Sequence, residues 1–145
     1  MEEHFSLATL FINEKPCSWQ EAVTISGQRL LALEAIEEAY IDAMIAAVDK
    51  LGPYMVIAPH LAIAHAAPSE HVYRNELVLG VFKEPVIFGC ENDPVHIVIA
   101  LCAVSPHSHL KQFQKIATMF EDEDSWQKLF LCDTVEQLYE VVNSY

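Results

Sequence analysis

Four short apolar runs, "MVIA", "LAIA", "ELVLGVF" and "VHIVIALCAV", fill the middle of the chain and constrain its fold more than any other feature. They are rich in Val and Ile and separated by Pro, Asn and Asp. Unbroken apolar character over such short lengths marks strands buried on both faces. A sheet of that kind must be covered on both sides, and the flanks supply the cover. Ser18, followed three residues later by Glu21 in "SWQEA", forms a capping box that opens a helix reaching about Leu33. Tyr40, Met44, Ala47, Val48 and Leu51 then recur at helical spacing, and Gly52 with Pro53 stops them. Helices return after Ser105: a stripe of Leu110, Phe113, Ala117 and Phe120, then "DSWQKLFLC", then "TVEQLYEVV" behind a second cap at Thr134 and Gln137. The pattern predicts an α/β fold in which helices flank a central sheet.

No repeat, low-complexity tract or long linker divides the 145 residues, which suffice for one domain that buries roughly two thirds of its unfolded surface. Cys17, Cys90, Cys102 and Cys132 are scattered, with no C-x-x-C pair, so neither a zinc knuckle nor a disulfide framework is expected and the thiols suit a reducing cytoplasm. Eight basic against twenty-one acidic residues leave a formal charge of −13, which opposes nonspecific binding to nucleic acid or an anionic membrane. "MEEHFSLATLF" lacks the basic start of a signal peptide, and the longest apolar run, Ile97 to Val104, is far too short to span a bilayer. These features predict a soluble cytoplasmic protein.

The glycine loops of nucleotide-binding proteins, the G-x-S-x-G elbow and H-E-x-x-H are all missing, which leaves histidine as the candidate chemistry. His60, His65, His71, His107 and His109 lie just after the apolar runs or in the loops beside them, where ligands of open α/β sheets usually sit. A neutral imidazole is a nucleophile near pH 7 and can accept a phosphoryl group. A phosphoryl acceptor also needs a donor for the phosphoryl oxygens and a rigid, partly apolar wall.

The stretch "YMVIAPHLAIAHAAPSEHV", followed by "LVLGVFKEPVIFGCENDPVHIVIALCAV" and "SPHSHLKQFQKIATMFEDEDSWQKLF", resembles the enzyme IIA component of the fructose/mannitol/ascorbate class of the bacterial phosphoenolpyruvate sugar phosphotransferase system, and the ascorbate type most of all. The resemblance runs from "WQEAV" to the final helix and implies one enzyme IIA-like domain over residues 1–145 with a mixed sheet. The family's phosphorylated histidine, in a segment of the form A-P-x-x-A-x-P-H-x-R-P, falls on His65, and its second histidine falls on His109. The implied activity is that of a phosphocarrier, with His65 receiving the phosphoryl group from HPr and handing it to a cysteine of a IIB partner that serves a IIC permease. No cofactor and no metal are implied.

Three positions depart from the family motif: Ala64 replaces a proline, His60 a glycine and Ala67 an arginine. The first frees a backbone torsion beside His65, and the last removes a permanently charged donor. The residues expected to compensate are His60, Arg74, His109 and the N-terminus of the helix after Ser105. His60 is the favoured one, as a donor from the same loop. The same departures motivate an alternative, a regulatory or binding module of this fold with weakened transfer. A zinc site built from His60, His65, His71 and His109 is a third reading, unsupported by spacing. His107 and His109 point about 200° apart on a helix, so His107 is expected on the surface. His4, His71 and His96 read as structural or solvated, and "EDED" at Glu121 to Asp124 as a solvated helix end.

Overall fold

In the computed structural model, which describes residues 5–144, five strands form a single mixed sheet in the order β1-β4-β5-β3-β2. The strands are β1 (Leu10–Asn13), β2 (Val56–Ala58), β3 (Leu61–Ala64), β4 (Glu76–Val86) and β5 (Val95–Cys102). The helices are α1 (Trp19–Ala32), α2 (Glu38–Leu51), α3 (Pro106–Met119), α4 (Ser125–Phe130) and α5 (Val135–Val142). β1 runs parallel to β4 and β3 parallel to β5, whereas β4 and β5 are antiparallel, as are β2 and β3. The expected α/β architecture, a mixed sheet with helices on both faces, is therefore present. His4 lies outside the described residues.

Alternation along each strand divides the core in two. Ala62, Ala64, Val78, Phe82, Val98, Ala100 and Cys102 pack with α1 and α2. Their neighbours Leu61, Ile63, Leu79, Val81, Ile97, Ile99 and Leu101 pack with α3, α4 and α5. β4 and β5 are covered on both sides along most of their length, as their unbroken apolar runs require. The edge strand β2 is different: Ile57 is 48% exposed there, because a short edge carries no second layer.

Both capping boxes form, Ser18 with Glu21 and Thr134 with Gln137. The apolar stripe expected on α3 is rotated. Ile116 and Met119 are buried, while Leu110 is 58% exposed and Ala117 is also exposed. Polar His109 and Gln112 occupy the inner face instead, because the first turns of α3 cover the end of the sheet rather than its apolar middle. β1 is an element that the pattern of four apolar runs omits, since "LFIN" is too short to stand out beside the helical signal that comes after it. It is held by side-chain fit. Phe11 lies opposite Gly80 in register and meets Phe82 edge to face at 5.8 Å.

Gly80 is required by that close approach, because a Cβ there would sit 2.1 Å from Phe11 Cζ. Gly80→Ala should therefore destabilise the protein by about 1–3 kcal/mol, the usual cost of overpacking a core. The measurement is the denaturant midpoint at constant m-value. An unchanged midpoint would mean that the Phe11 ring turns aside without cost.

Candidate functional site

β3 ends at Ala64, and the alternation that sends Leu61 and Ile63 to the α3 face sends His65 there as well. The His65 ring folds back so that Nδ1 lies 2.7 Å from the Ile63 carbonyl oxygen. A carbonyl oxygen only accepts, so Nδ1 carries the proton and Nε2 keeps its lone pair. Three rings fix the imidazole from the sides: Tyr54 with centroids 5.1 Å apart, Phe113 at 5.0 Å and His109 at 5.5 Å, all near perpendicular. This supplies the partly apolar wall that a phosphoryl acceptor needs.

His109 arrives from the facing element. Ser105 caps α3 by accepting the Ser108 N–H, Pro106 occupies the first turn, and the His109 N–H bonds to the Ser105 carbonyl. The His109 ring stacks on Phe113 at 5.0 Å, and its Nε2 is buried with no hydrogen-bond partner among the described residues. An unpartnered buried nitrogen costs free energy unless a ligand satisfies it. Burial lowers the pKa of His65, with the neighbouring His109 adding to the effect and the Ile63 hydrogen bond opposing it. Burial also lowers the pKa of His109. Both rings are thus held neutral, the state in which one can act as nucleophile and the other can donate one proton.

The backbone after His65 is pinned by two tyrosines that sequence reasoning did not single out for chemistry. Tyr54 Oη donates to the His65 carbonyl at 3.0 Å. Tyr40 Oη accepts the Ala66 N–H at 2.9 Å and donates to the Leu101 carbonyl at 2.8 Å. Tyr40 reads in sequence as one more member of an apolar helical stripe, so only its depth of burial, 0% exposed, reveals that its hydroxyl needs partners.

The other candidate residues are not gathered there. His60 and His65 flank β3 at opposite ends, five residues or roughly 16 Å apart at strand rise. His60 therefore does not compensate for Ala67 from the same loop, contrary to the sequence expectation. It adopts a positive φ of 70°, which explains why glycine suits this position. Its Nδ1 bonds the Pro94 carbonyl at 2.7 Å, and its ring lies 3.9 Å from that of Trp126. Arg74 is at the His65 end of the sheet, but its guanidinium is half exposed and pairs with Glu76 at 3.4 Å. His71 pairs with Glu37 at 2.7 Å and His96 with the Phe82 carbonyl at 2.7 Å, both structural roles. His107 is exposed, as its angle to His109 requires, and Glu121 to Asp124 are exposed as well. With these histidines dispersed, the four-histidine zinc arrangement does not form.

The family model for the phosphoenolpyruvate-dependent sugar phosphotransferase system, EIIA 2, matches residues 3–145. The chain belongs to that family. This EIIA 2 chain is 34% identical over 148 residues to a Shigella flexneri protein named ascorbate-specific PTS system EIIA component, covering 99% of the chain and 96% of that protein. Its fold is similar to the solution structure of the mannitol-specific cryptic phosphotransferase enzyme IIA CmtB from Escherichia coli, with a TM-score of 0.87, 25% identity and coverage of 98% and 97% of the two chains. It also matches, at TM-score 0.84 and 22% identity over 97% of this chain and 98% of the other, a complex of enzyme IIA-mannitol and phosphorylated enzyme IIB-mannitol from Escherichia coli; that likeness is one of fold. Among the described residues no helix is long and apolar enough to cross a membrane.

The two neutral rings of this candidate site give the protein's stability a pH dependence. Their folded-state pKa values lie below the unfolded value of about 6.5. The unfolded chain therefore binds protons that the folded chain refuses. Stability from this source is complete above pH about 6.5 and is lost as pH falls through the folded-state values. His65→Gln should flatten the fall in denaturant midpoint between about pH 7 and pH 5. Equal slopes in the variant and wild type would contradict burial as the cause.

Proposed function

We propose that the chain is a cytoplasmic phosphocarrier of a sugar phosphotransferase system, with Nε2 of His65 as the phosphoryl acceptor. The observation that carries this reading is the bond from Nδ1–H to the Ile63 carbonyl, which leaves Nε2 as the ring's one free nucleophile, across from His109, whose buried Nε2 has no hydrogen-bond partner among the described residues. In the first step the Nε2 lone pair attacks the phosphorus of phosphohistidine on HPr. One N–P bond forms as the other breaks, and each ring keeps the proton on its other nitrogen. As His65 gains positive charge, its Nδ1–H bond to Ile63 strengthens, because charged donors bond more tightly. In the second step a cysteine thiolate of a IIB partner attacks phosphorus and the neutral imidazole leaves. No metal or nucleotide enters this scheme.

His109 serves as donor to the phosphoryl oxygens, offsetting charge in a loose, in-line transition state where positioning and electrostatics dominate. Leu110, beside His109 and 58% exposed, and Val104, 49% exposed, offer apolar surface to the partner that delivers the group. The relatives named ascorbate-specific support ascorbate or a related sugar as the solute that a IIC permease imports. The IIA-mannitol and phosphorylated IIB-mannitol complex supports a IIB partner.

Incubation with phosphoenolpyruvate, enzyme I and HPr should add one acid-labile phosphoryl group to His65, detected by mass spectrometry, and His65→Ala should accept none. A phosphoryl group found elsewhere would overturn the assignment. A folded wild type that accepts none would favour a regulatory module. His109→Ala should slow acceptance about 10²–10³-fold, while His109→Gln, which keeps a donor, should retain much of the rate. Equal rates in all three proteins would remove His109 from the mechanism. His60→Gly should leave acceptance at the wild-type rate, because that ring lies at the far end of β3; a loss of rate would show coupling along the strand.

A further inference from the structure

The peptide bond joining His65 to Ala66 is held at both of its polar ends by a phenol. Its carbonyl oxygen accepts from Tyr54 Oη at 3.0 Å, and its N–H donates to Tyr40 Oη at 2.9 Å. A peptide unit is a rigid plane, so fixing both groups fixes the plane, and with it ψ of His65 and φ of Ala66. The two phenols come from different places: Tyr40 from the buried face of α2, and Tyr54 from the connection between α2 and β2.

We infer that Tyr40 and Tyr54 are positioning residues for His65, supplying the backbone restraint that the family motif draws from a proline at position 64. This inference rests on the reading of His65 as phosphoryl acceptor. Proline restrains the chain before the histidine by closing a ring on φ. The tyrosines restrain it after the histidine by hydrogen bonds. With the ring's Nδ1 bonded to Ile63 on one side and the following peptide clamped on the other, the line from Nε2 toward an incoming phosphorus has little freedom. The clamp also narrows the donor set. The Ala66 N–H is already engaged by Tyr40, which leaves His109 as the neighbouring donor for phosphoryl oxygens.

The two phenols are unequal. Tyr40 is anchored through its bond to the Leu101 carbonyl in β5, and burial pushes its pKa far above the ordinary phenol value, so it keeps the proton it donates there. Tyr40→Phe would strand both the Ala66 N–H and the Leu101 carbonyl, so its effects combine positioning with folding. Tyr54 is 37% exposed, and its bond to His65 lies at the surface, where water can satisfy the carbonyl once the hydroxyl is gone. Tyr54→Phe is therefore the decisive variant: it keeps the ring against His65 and removes one hydrogen-bond donor.

Three readouts on wild type and Tyr54→Phe test the inference: the denaturant midpoint, single-turnover acceptance from phosphorylated HPr, and the ring-nitrogen shifts of His65 in protein with nitrogen-15 imidazoles. The midpoint should stay at the wild-type value. Acceptance should slow roughly 10- to 100-fold through misalignment alone. The ring shifts, expected to report a single Nδ1–H tautomer in wild type, should move toward a mixture. Tyr40→Phe should show the same shifts together with a lowered midpoint. Wild-type rate and wild-type shifts in Tyr54→Phe would overturn the clamp. If wild type takes no phosphoryl group on His65 while Tyr54→Phe still redistributes the tautomers, the clamp stands and the phosphocarrier reading falls.

Discussion

Ala64 of β3 lies opposite Ala100 of β5 in a parallel pair, and that register places everything at the candidate site. Because the two strands run the same way, the segments leaving their C-terminal ends emerge at one end of the sheet: His65 after β3, and the Ser105 cap with α3 after β5. Alternation then decides the side. Ile63 and His65 face α3, while Ala64 and Ala66 face the α1 and α2 layer, where Tyr40 bonds to the Leu101 carbonyl and the Ala66 N–H. A slip of one residue would turn His65 toward the α2 side and break both arrangements.

The site shows desolvation prevailing over net charge. A chain at −13 exerts a field that favours protonated imidazoles, yet burial lowers the pKa of both His65 and His109. Carboxylates a Debye length away, about 8 Å at physiological ionic strength, are largely screened, whereas loss of hydration acts at contact. The rings against His65 belong to Tyr54, Phe113 and His109, none of which carries negative charge near pH 7. Acidic residues instead occupy the exterior, as in the exposed Glu121 to Asp124 segment between α3 and α4.

Much of this was legible in the sequence because it depends on local pattern. The two capping boxes, the N-cap at Ser105 with Pro106 behind it, and the strand character of the Val and Ile runs are encoded within a few residues and appear where expected. His65 and His109 were legible as candidates, and the fold brings their rings within 5.5 Å. The features that could not be read depend on strand direction and depth. His60 sits five residues from His65 in sequence, which suggested one loop; a strand between them makes the short spacing a long distance. β1 was hidden because its stability comes from a non-local fit of Phe11 over Gly80. Tyr40 and Tyr54 were hidden because a tyrosine's hydroxyl carries no sequence signal until a partner carbonyl or N–H is placed beside it.

The proposed chemistry centres on one atom, Nε2 of His65, left with its lone pair because Nδ1–H is bonded to the Ile63 carbonyl. Phosphorylating protein labelled with nitrogen-15 in its imidazoles and recording nitrogen–phosphorus coupling locates the new bond directly. The expected result is phosphorus coupled to Nε2 of His65, with Nδ1 still protonated. Phosphorus on Nδ1 would contradict this mechanism, because that bond can form only if the hydrogen bond to Ile63 is given up.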